Sequence, residues 1–389
     1  MSIRRKELKI VNIIIAMDSF KGSINSIEAG NAVSEGIKRV YKDAKITINP
    51  LADGGEGTVE TLVYGMDGVM ENITVTGPLG RKIDCSYGIL KKEKTAVIEM
   101  AAASGITLVE EDERNPLYTT TYGVGEIIID AIKKGCRKFI VGIGGSATND
   151  GGIGMLQALG YSITDERGND VSYGAVGLKD IVKIDDTNIV PELKECIFTI
   201  ACDVKNPLLG ENGCSEVYGP QKGATKDMVK DMDLWMKKYA LAAKKYNVKA
   251  DENIEGSGAA GGMGFAFLTF LNSSLVPGID IVIKETCLEE KIKTADLVIT
   301  GEGCIDGQTA MGKAPVGVAK IAKKYGKKVI GFSGITRKDA GKCNCAGIDA
   351  FFPIIKRLTT LDEALDKKNA SANLSDTVEQ VFRLIKLYS

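Results

Sequence analysis

Seven carboxylates and three lysines stand in polar loops, most of them glycine-bearing, that follow apolar runs. Asp18 and Lys21 lie in DSFKGS (18–23), and Asp53 and Glu56 in ADGGEGT (52–58). Asp150 lies in GGSATNDGG (144–152), and Asp203 and Lys205 in ACDVKNP (201–207). Glu302, Asp306 and Lys313 lie in TGEGCIDGQTAMGK (300–313). Each carboxylate alone reads as a helix cap or a turn residue. Together they suit a Mg²⁺ ion and one base that accepts a hydroxyl proton. Lys21, Lys205 and Lys313 would neutralise phosphate oxygens. Positioning and charge stabilisation are what phosphoryl transfer asks of a protein. The 389 residues include no histidine. That removes the Ser-His-Asp triad, the Cys-His pair and most zinc catalysis. Phosphoryl transfer needs none of them.

The glycines in these loops point the same way. Glycine allows positive φ and close backbone approach, and the following helix N-terminus adds positive partial charge. A tight turn with a helix cap needs only one or two glycines. GGSATNDGG has four, and five such loops in one chain favour a phosphoryl site. Two generic motifs are weaker. Gly256-Ser-Gly258-Ala-Ala-Gly261 matches G-x-G-x-x-G, but ADENIE precedes it where a dinucleotide site needs a strand. Gly307 to Lys313 nearly matches the P-loop but lacks its Ser/Thr, and the strand ends too early.

Composition bounds the rest. Lys plus Arg is 50 and Asp plus Glu is 51, so no basic excess points to nucleic acid or to an anionic membrane. The nine cysteines include no C-x-x-C pair, which suits a reducing compartment. The apolar stretch after the basic N-terminal residues is too short for a signal peptide. No apolar run approaches the 18 residues of a membrane span. The expectation is a cytoplasmic protein with small-molecule partners, as a monomer or a homodimer.

A chain this long implies two domains. VNIIIAM (11–17) and ITINPLAD (46–53) read as strands of a parallel sheet, with a helix between them that starts at Asn25 and Glu28 and runs to about Tyr41. ENITVTG (71–77) and IDCSYGIL (83–90) read as an antiparallel hairpin, and TAVIEMA (95–101) as a further strand. Helices are expected at 119–135 and 228–247, with strands KFIVGIGG (138–145) and IFTIACDV (197–204) between them. The parallel signal returns with DLVITGEG (296–303), a strand running into a glycine turn, then a helix at 312–326 and strands at 327–334 and 350–354. The predicted architecture is α/β in two domains. One is a discontinuous Rossmann-like parallel-sheet domain, 1–66 with 285–389. The other, 67–284, is an inserted mixed α/β domain.

The loop sequences identify the chain as similar to the bacterial type I glycerate kinases. The resemblance spans nearly the whole length. It rests on DSFKGS, PLADGGEGT, EMAAASG (99–105), TTTYGVGE (119–126), GIGGSATNDGGIGMLQALG (142–160), ACDVKNPLLG, GPQKGAT (219–225), GSGAAGGMGFA (256–266) and DLVITGEGCIDGQTAMGK. It implies ATP-dependent phosphorylation of D-glycerate with Mg²⁺, and 2-phosphoglycerate as product. 3-Phosphoglycerate, or another small hydroxy acid as substrate, remains open. A non-catalytic nucleotide or metabolite sensor is the reading from another class, and it would need no base. In the kinase reading Asp203 is the base, with Lys21 and Lys205 beside the chemistry, and Asp53, Glu302 and Asp306 are the metal candidates. Phosphate or substrate contacts are expected from Ser19, Gly54, Gly55, Ser104, Thr119, Thr120, Gly144, Gly145, Ser146, Thr148, Asn149, Gly258, Gly261 and Lys313.

Overall fold

The structure, a computed structural model, describes residues 12–52, 55 and 57–388. Its first strands are β1 (Asn12–Met17), β2 (Lys45–Ile48), β3 (Gly68–Thr76), β4 (Lys82–Leu90), β5 (Thr95–Glu99) and β6 (Lys138–Gly142). They are followed by β7 (Ser162–Thr164), β8 (Lys183–Asp185), β9 (Ile197–Ala201) and β10 (Ser273–Val276). The last are β11 (Leu297–Ile305), β12 (Lys328–Thr336) and β13 (Ala350–Pro353). The chain forms two compact units, Met1–Asp53 with Ile279–Ser389, and Gly54–Gly278.

The first unit is built on a parallel sheet in the order β13-β12-β11-β1-β2. Ile13, Ile14 and Ile15 of β1 are all buried, as a central strand covered on both faces requires. One face carries the helices Ser26–Lys38 and Lys367–Leu387, whose Val33, Ile37, Leu374, Val378 and Phe382 pack with Ile13, Ile15 and Phe332. The helix Ala314–Lys324 packs against β11 and β12. The chain leaves β1 toward β2 and β11 toward β12, so the crossovers diverge between β1 and β11. Open parallel sheets place ligands at such a point, beyond the carboxyl ends of the strands.

The expected start of the first helix is present in full. Asn25 Oδ1 accepts from the Glu28 N–H at 2.8 Å, and Glu28 Oε2 accepts from the Asn25 N–H at 2.8 Å. Asn25→Ala removes one acceptor and leaves the Glu28 N–H unpaired. It is expected to lower stability by about 1 kcal/mol, measurable by chemical denaturation.

The second unit is built on a mixed sheet in the order β10-β9-β6-β5-β4-β3. β3, β4 and β5 pair antiparallel, while β5, β6, β9 and β10 pair parallel. The loops after β5, β6, β9 and β10 therefore leave from one sheet edge. Helix Tyr122–Lys133 buries Val124, Ile127 and Ile128, and helix Lys226–Tyr246 buries Met232, Met236 and Tyr239 in the same core. Met228 and Trp235 complete the long helix's expected apolar stripe, half-buried against that core.

Three details differ from the expectations. The helix expected over 119–135 begins only at Tyr122 and ends at Lys133, because Thr119 to Thr121 bond to the neighbouring loops instead. β11 does not stop at a glycine turn but runs through Gly301 and Gly303 to Ile305. A Cβ at Gly301 would collide with the Phe332 carbonyl of β12; here glycine permits close strand approach rather than a turn. Finally, the units join at 53/54 and 278/279, where the sequence placed the joins near 66 and 285. Helix Thr58–Gly65 packs on β3, β4 and β5, and Ile279 and Ile283 lie against Gly317.

Candidate active site

In the second unit, β6 feeds the loop 143–152 and then the helix Ile153–Ala158. Gly145, Gly151 and Gly152 take φ of +73°, +63° and +78°, where an L side chain is strained. The loop is tied to its neighbours from several sides. Ala147 N–H donates to Ser104 O at 2.9 Å, and Ile106 N–H to Gly145 O at 2.8 Å. Thr119 Oγ1 donates to Ala147 O at 3.0 Å, and Ser104 Oγ to Thr120 O at 3.2 Å. The hydroxyls expected at the substrate, Ser104 and Thr119, thus build the loop's frame. Thr120 Oγ1 accepts from Tyr122 N–H at 3.2 Å.

Asp150 is the anchor of this frame and is fully buried. Its Oδ2 accepts from the Thr121 N–H at 2.9 Å and from the Thr121 hydroxyl at 2.8 Å. Its Oδ1 accepts from Gly152 N–H at 3.0 Å. Thr121 Oγ1 in turn accepts from Met155 N–H at 3.0 Å. Burial pushes the carboxyl's pKa up, and these donors oppose the shift.

Behind the loop lies Lys222, from the turn Pro220–Lys222 in GPQKGAT. It is 2% exposed. Its ammonium donates to Ser146 Oγ at 2.8 Å and to Thr148 O at 2.6 Å. Burial pushes its pKa down to about 8, against the attraction of Cys214 and Asp150. The site residues expected from the sequence did not include this lysine. Its only sequence signal is the glycine- and proline-flanked GPQKGAT, and lysines are seldom buried.

Asn149 turns its amide inward, donating to Ser215 Oγ at 2.9 Å. Its Oδ1 and the hydroxyl of Thr148 are buried without a hydrogen-bond partner among the described residues. The segment GSGAAGG packs beneath the loop rather than presenting itself as a dinucleotide turn. Gly151 N–H donates to Gly261 O at 2.9 Å, and Gly258 N–H donates to Asn206 O at 3.0 Å. Gly261 has φ +67° and a Cβ there would collide with the Thr148 carbonyl. Gly261→Ala therefore meets both a backbone penalty and a clash. It is expected to cost about 3 kcal/mol, read as a fall in the denaturation midpoint.

Asp203 follows β9 on the same sheet edge. It is exposed, and its Oδ1 accepts from Gly278 N–H at 3.0 Å. Lys205 lies two residues on and pairs with Glu255 at 3.0 Å, with both side chains largely exposed.

The first unit brings its own group together at the ends of β1 and β11. Asp18 N–H donates to Gly301 O at 2.8 Å, which sets the start of the Asp18–Ser23 turn beside β11. Ser19 N–H donates to Asp18 Oδ1 at 2.7 Å. Glu302 is 8% exposed, and its Oε1 accepts from Thr309 Oγ1 at 2.6 Å. Burial pushes the Glu302 pKa up; Thr309, Lys313 and Lys21 oppose this, while Asp306 adds to it. Asp306 caps the helix Gly307–Ala310, accepting from Gln308 N–H at 2.9 Å and Thr309 N–H at 3.2 Å. Desolvation raises its pKa, but those bonds, Lys313 and Arg337 leave it below the usual carboxylate range. Lys21 and Lys313 are exposed. Because 307–310 is helical, this segment is not a P-loop wrap, although β11 ends nearer to it than the sequence suggested. Asp53, Gly54 and Glu56 lie outside the described residues. Gly55 is described, and its carbonyl accepts from the Thr58 hydroxyl at 2.8 Å.

A two-unit α/β protein with anion-suited loops at the carboxyl ends of parallel strands is the class that fold and site define. The Glycerate kinase family model matches residues 13–386. Glycerate 2-kinase of Escherichia coli K12 is 47% identical over 91% of this chain and 93% of its own length. Glycerate kinase of Haemophilus influenzae is 46% identical over 96% of this chain and 99% of its own. A crystal structure from Salmonella typhimurium LT2, assigned as glycerate kinase 2, superposes with a TM-score of 0.89 at 44% identity. It covers 97% of this chain and 99% of that one. The chain belongs to the glycerate kinase family.

Proposed function

We propose that the protein transfers the γ-phosphoryl group of ATP to D-glycerate, forming 2-phosphoglycerate and ADP. The observation that carries this is the 47% identity to a glycerate 2-kinase along 91% of the chain. Asp203 accepts the proton of the attacking hydroxyl. The glycerate oxygen then bonds to the γ-phosphorus as the bond from that phosphorus to the β–γ bridging oxygen breaks. Exposure of Asp203 at the strand end leaves it accessible to a substrate hydroxyl, as a base requires. Lys21, Lys205 and Lys313 are assigned to charge neutralisation at phosphate oxygens.

Mg²⁺ fits this donor set. A magnesium ion at a nucleotide uses one or two protein carboxylates, with phosphates and water completing its shell. Among the described residues no group of three or more His, Cys, Asp or Glu could hold a metal. Glu302 is a buried carboxylate whose charge a cation would relieve, and Asp306 stands four residues on. These two, with Asp53, would hold the ion, which when bound neutralises charge developing on the phosphoryl oxygens.

We place the reaction in the cytoplasm. All nine cysteines are free, and among the described residues no helix is long and apolar enough to cross a membrane. The function is tested by following ADP formation with D-glycerate and ATP, with and without EDTA. ADP stoichiometric with glycerate consumed, abolished by EDTA and restored by Mg²⁺, is expected. ATP hydrolysis that ignores D-glycerate would remove the assignment.

A further inference from the structure

Two features of the 143–152 loop are unexplained by its own bonding. Among the described residues, nothing accepts from the backbone N–H groups of Gly144, Gly145 and Ser146, and the two glycines are exposed. Beneath Ser146, Lys222 holds a buried ammonium with no carboxylate within ion-pair distance among the described residues; its bonds are to a hydroxyl and a carbonyl. A buried cation with no carboxylate in direct contact is costly, and a bound anion offsets that cost. Because Lys222 donates to Ser146 Oγ, the Ser146 hydroxyl hydrogen is left to donate elsewhere.

We propose that Gly144, Gly145 and Ser146 form the subsite for the substrate's carboxylate, and that Lys222 is its positioning residue and buried counter-charge, acting through Ser146. This rests on the reading of the protein as a kinase of a small hydroxy acid. One lysine, one hydroxyl and a run of N–H groups match a monoanion. A nucleotide triphosphate carries several charges and would need more cations than this loop offers.

The lysine's pKa, pushed down to about 8 by burial, gives the subsite a signature. A bound carboxylate raises it, so binding at pH 8 takes up about half a proton, and at pH 6.5 almost none. The groups facing Lys222 do not mimic this. Cys214 is pushed up to about 11, so it is neutral at pH 8. Asp150 acts on Lys222 as an attracting charge.

The test is calorimetric titration of the full chain with D-glycerate, D-lactate, glycolate and, separately, ATP, in buffers of different ionisation enthalpy. Lys222→Met is expected to weaken D-glycerate binding at least about 30-fold, abolish proton uptake at pH 8 and leave ATP affinity within about twofold. Ser146→Ala retains the lysine and keeps the variant set informative if Lys222→Met does not fold; about a 10-fold loss for D-glycerate alone is expected. D-glycerate binding unchanged in both variants, or a loss confined to ATP, overturns the proposal and leaves the kinase reading intact. Binding of D-lactate or glycolate but not D-glycerate, with the same Lys222 dependence, overturns the substrate reading and supports the subsite. Binding of none of the three acids by the parent protein overturns both.

Discussion

Asp203→Asn is expected to lower kcat by about 10² or more while the fold and the KM values stay close to those of the parent protein. The carboxylate is exposed, and its Oδ1 accepts from the Gly278 N–H at 3.0 Å. An asparagine Oδ1 can accept that bond in the same way, so the substitution keeps this contact and removes the basicity. The amide has no affinity for a proton at neutral pH, so an attacking hydroxyl must lose its proton to water. Steady-state kinetics together with a thermal melt measure both halves of the expectation. A kcat within threefold of the parent would take Asp203 out of the base role.

Asp150→Ala is expected to have the largest effect on stability, at least about 3 kcal/mol. The carboxylate is fully buried, and its removal strands the Thr121 N–H, the Thr121 hydroxyl and the Gly152 N–H without acceptors. Each buried donor left unpaired costs about 1–3 kcal/mol. The loss also frees the start of the helix after the glycine loop from the start of helix Tyr122–Lys133. Activity should therefore fall along with the denaturation midpoint. Asp150→Asn keeps the shape but turns an NH₂ toward one set of donors, so it should fall between parent and alanine. A normal midpoint for the alanine variant would show that the loop is held by other bonds.

The two residues differ in how well the sequence announced them. Asp203 is visible as a carboxylate just past a buried strand. Asp150 is visible too, but its partner Thr121 lies 29 positions away, so its role as an anchor is not. Strands made of unbroken apolar residues, such as β1, were legible because burial on both faces leaves no polar positions. The Asn25 and Glu28 pair was legible because a capping box is local in sequence. The length of β11 was not, since glycine marks a turn and a close strand approach alike. Lys222 was hidden for a related reason. A lysine in a polar segment reads as exposed, and only tertiary packing sets it under Ser146. Likewise the G-x-G-x-x-G glycines serve close backbone packing, which their spacing alone does not distinguish from phosphate binding.

The most direct test of the central claim is a coupled assay of the purified protein with ATP, Mg²⁺ and D-glycerate, using enolase and pyruvate kinase as the only coupling enzymes. Enolase accepts 2-phosphoglycerate, so pyruvate formed without added phosphoglycerate mutase is the predicted result. Pyruvate that forms only after mutase is added would mean that 3-phosphoglycerate is the product and would contradict the proposed regiochemistry. No pyruvate under either condition, from protein shown to be folded, would contradict the account as a whole.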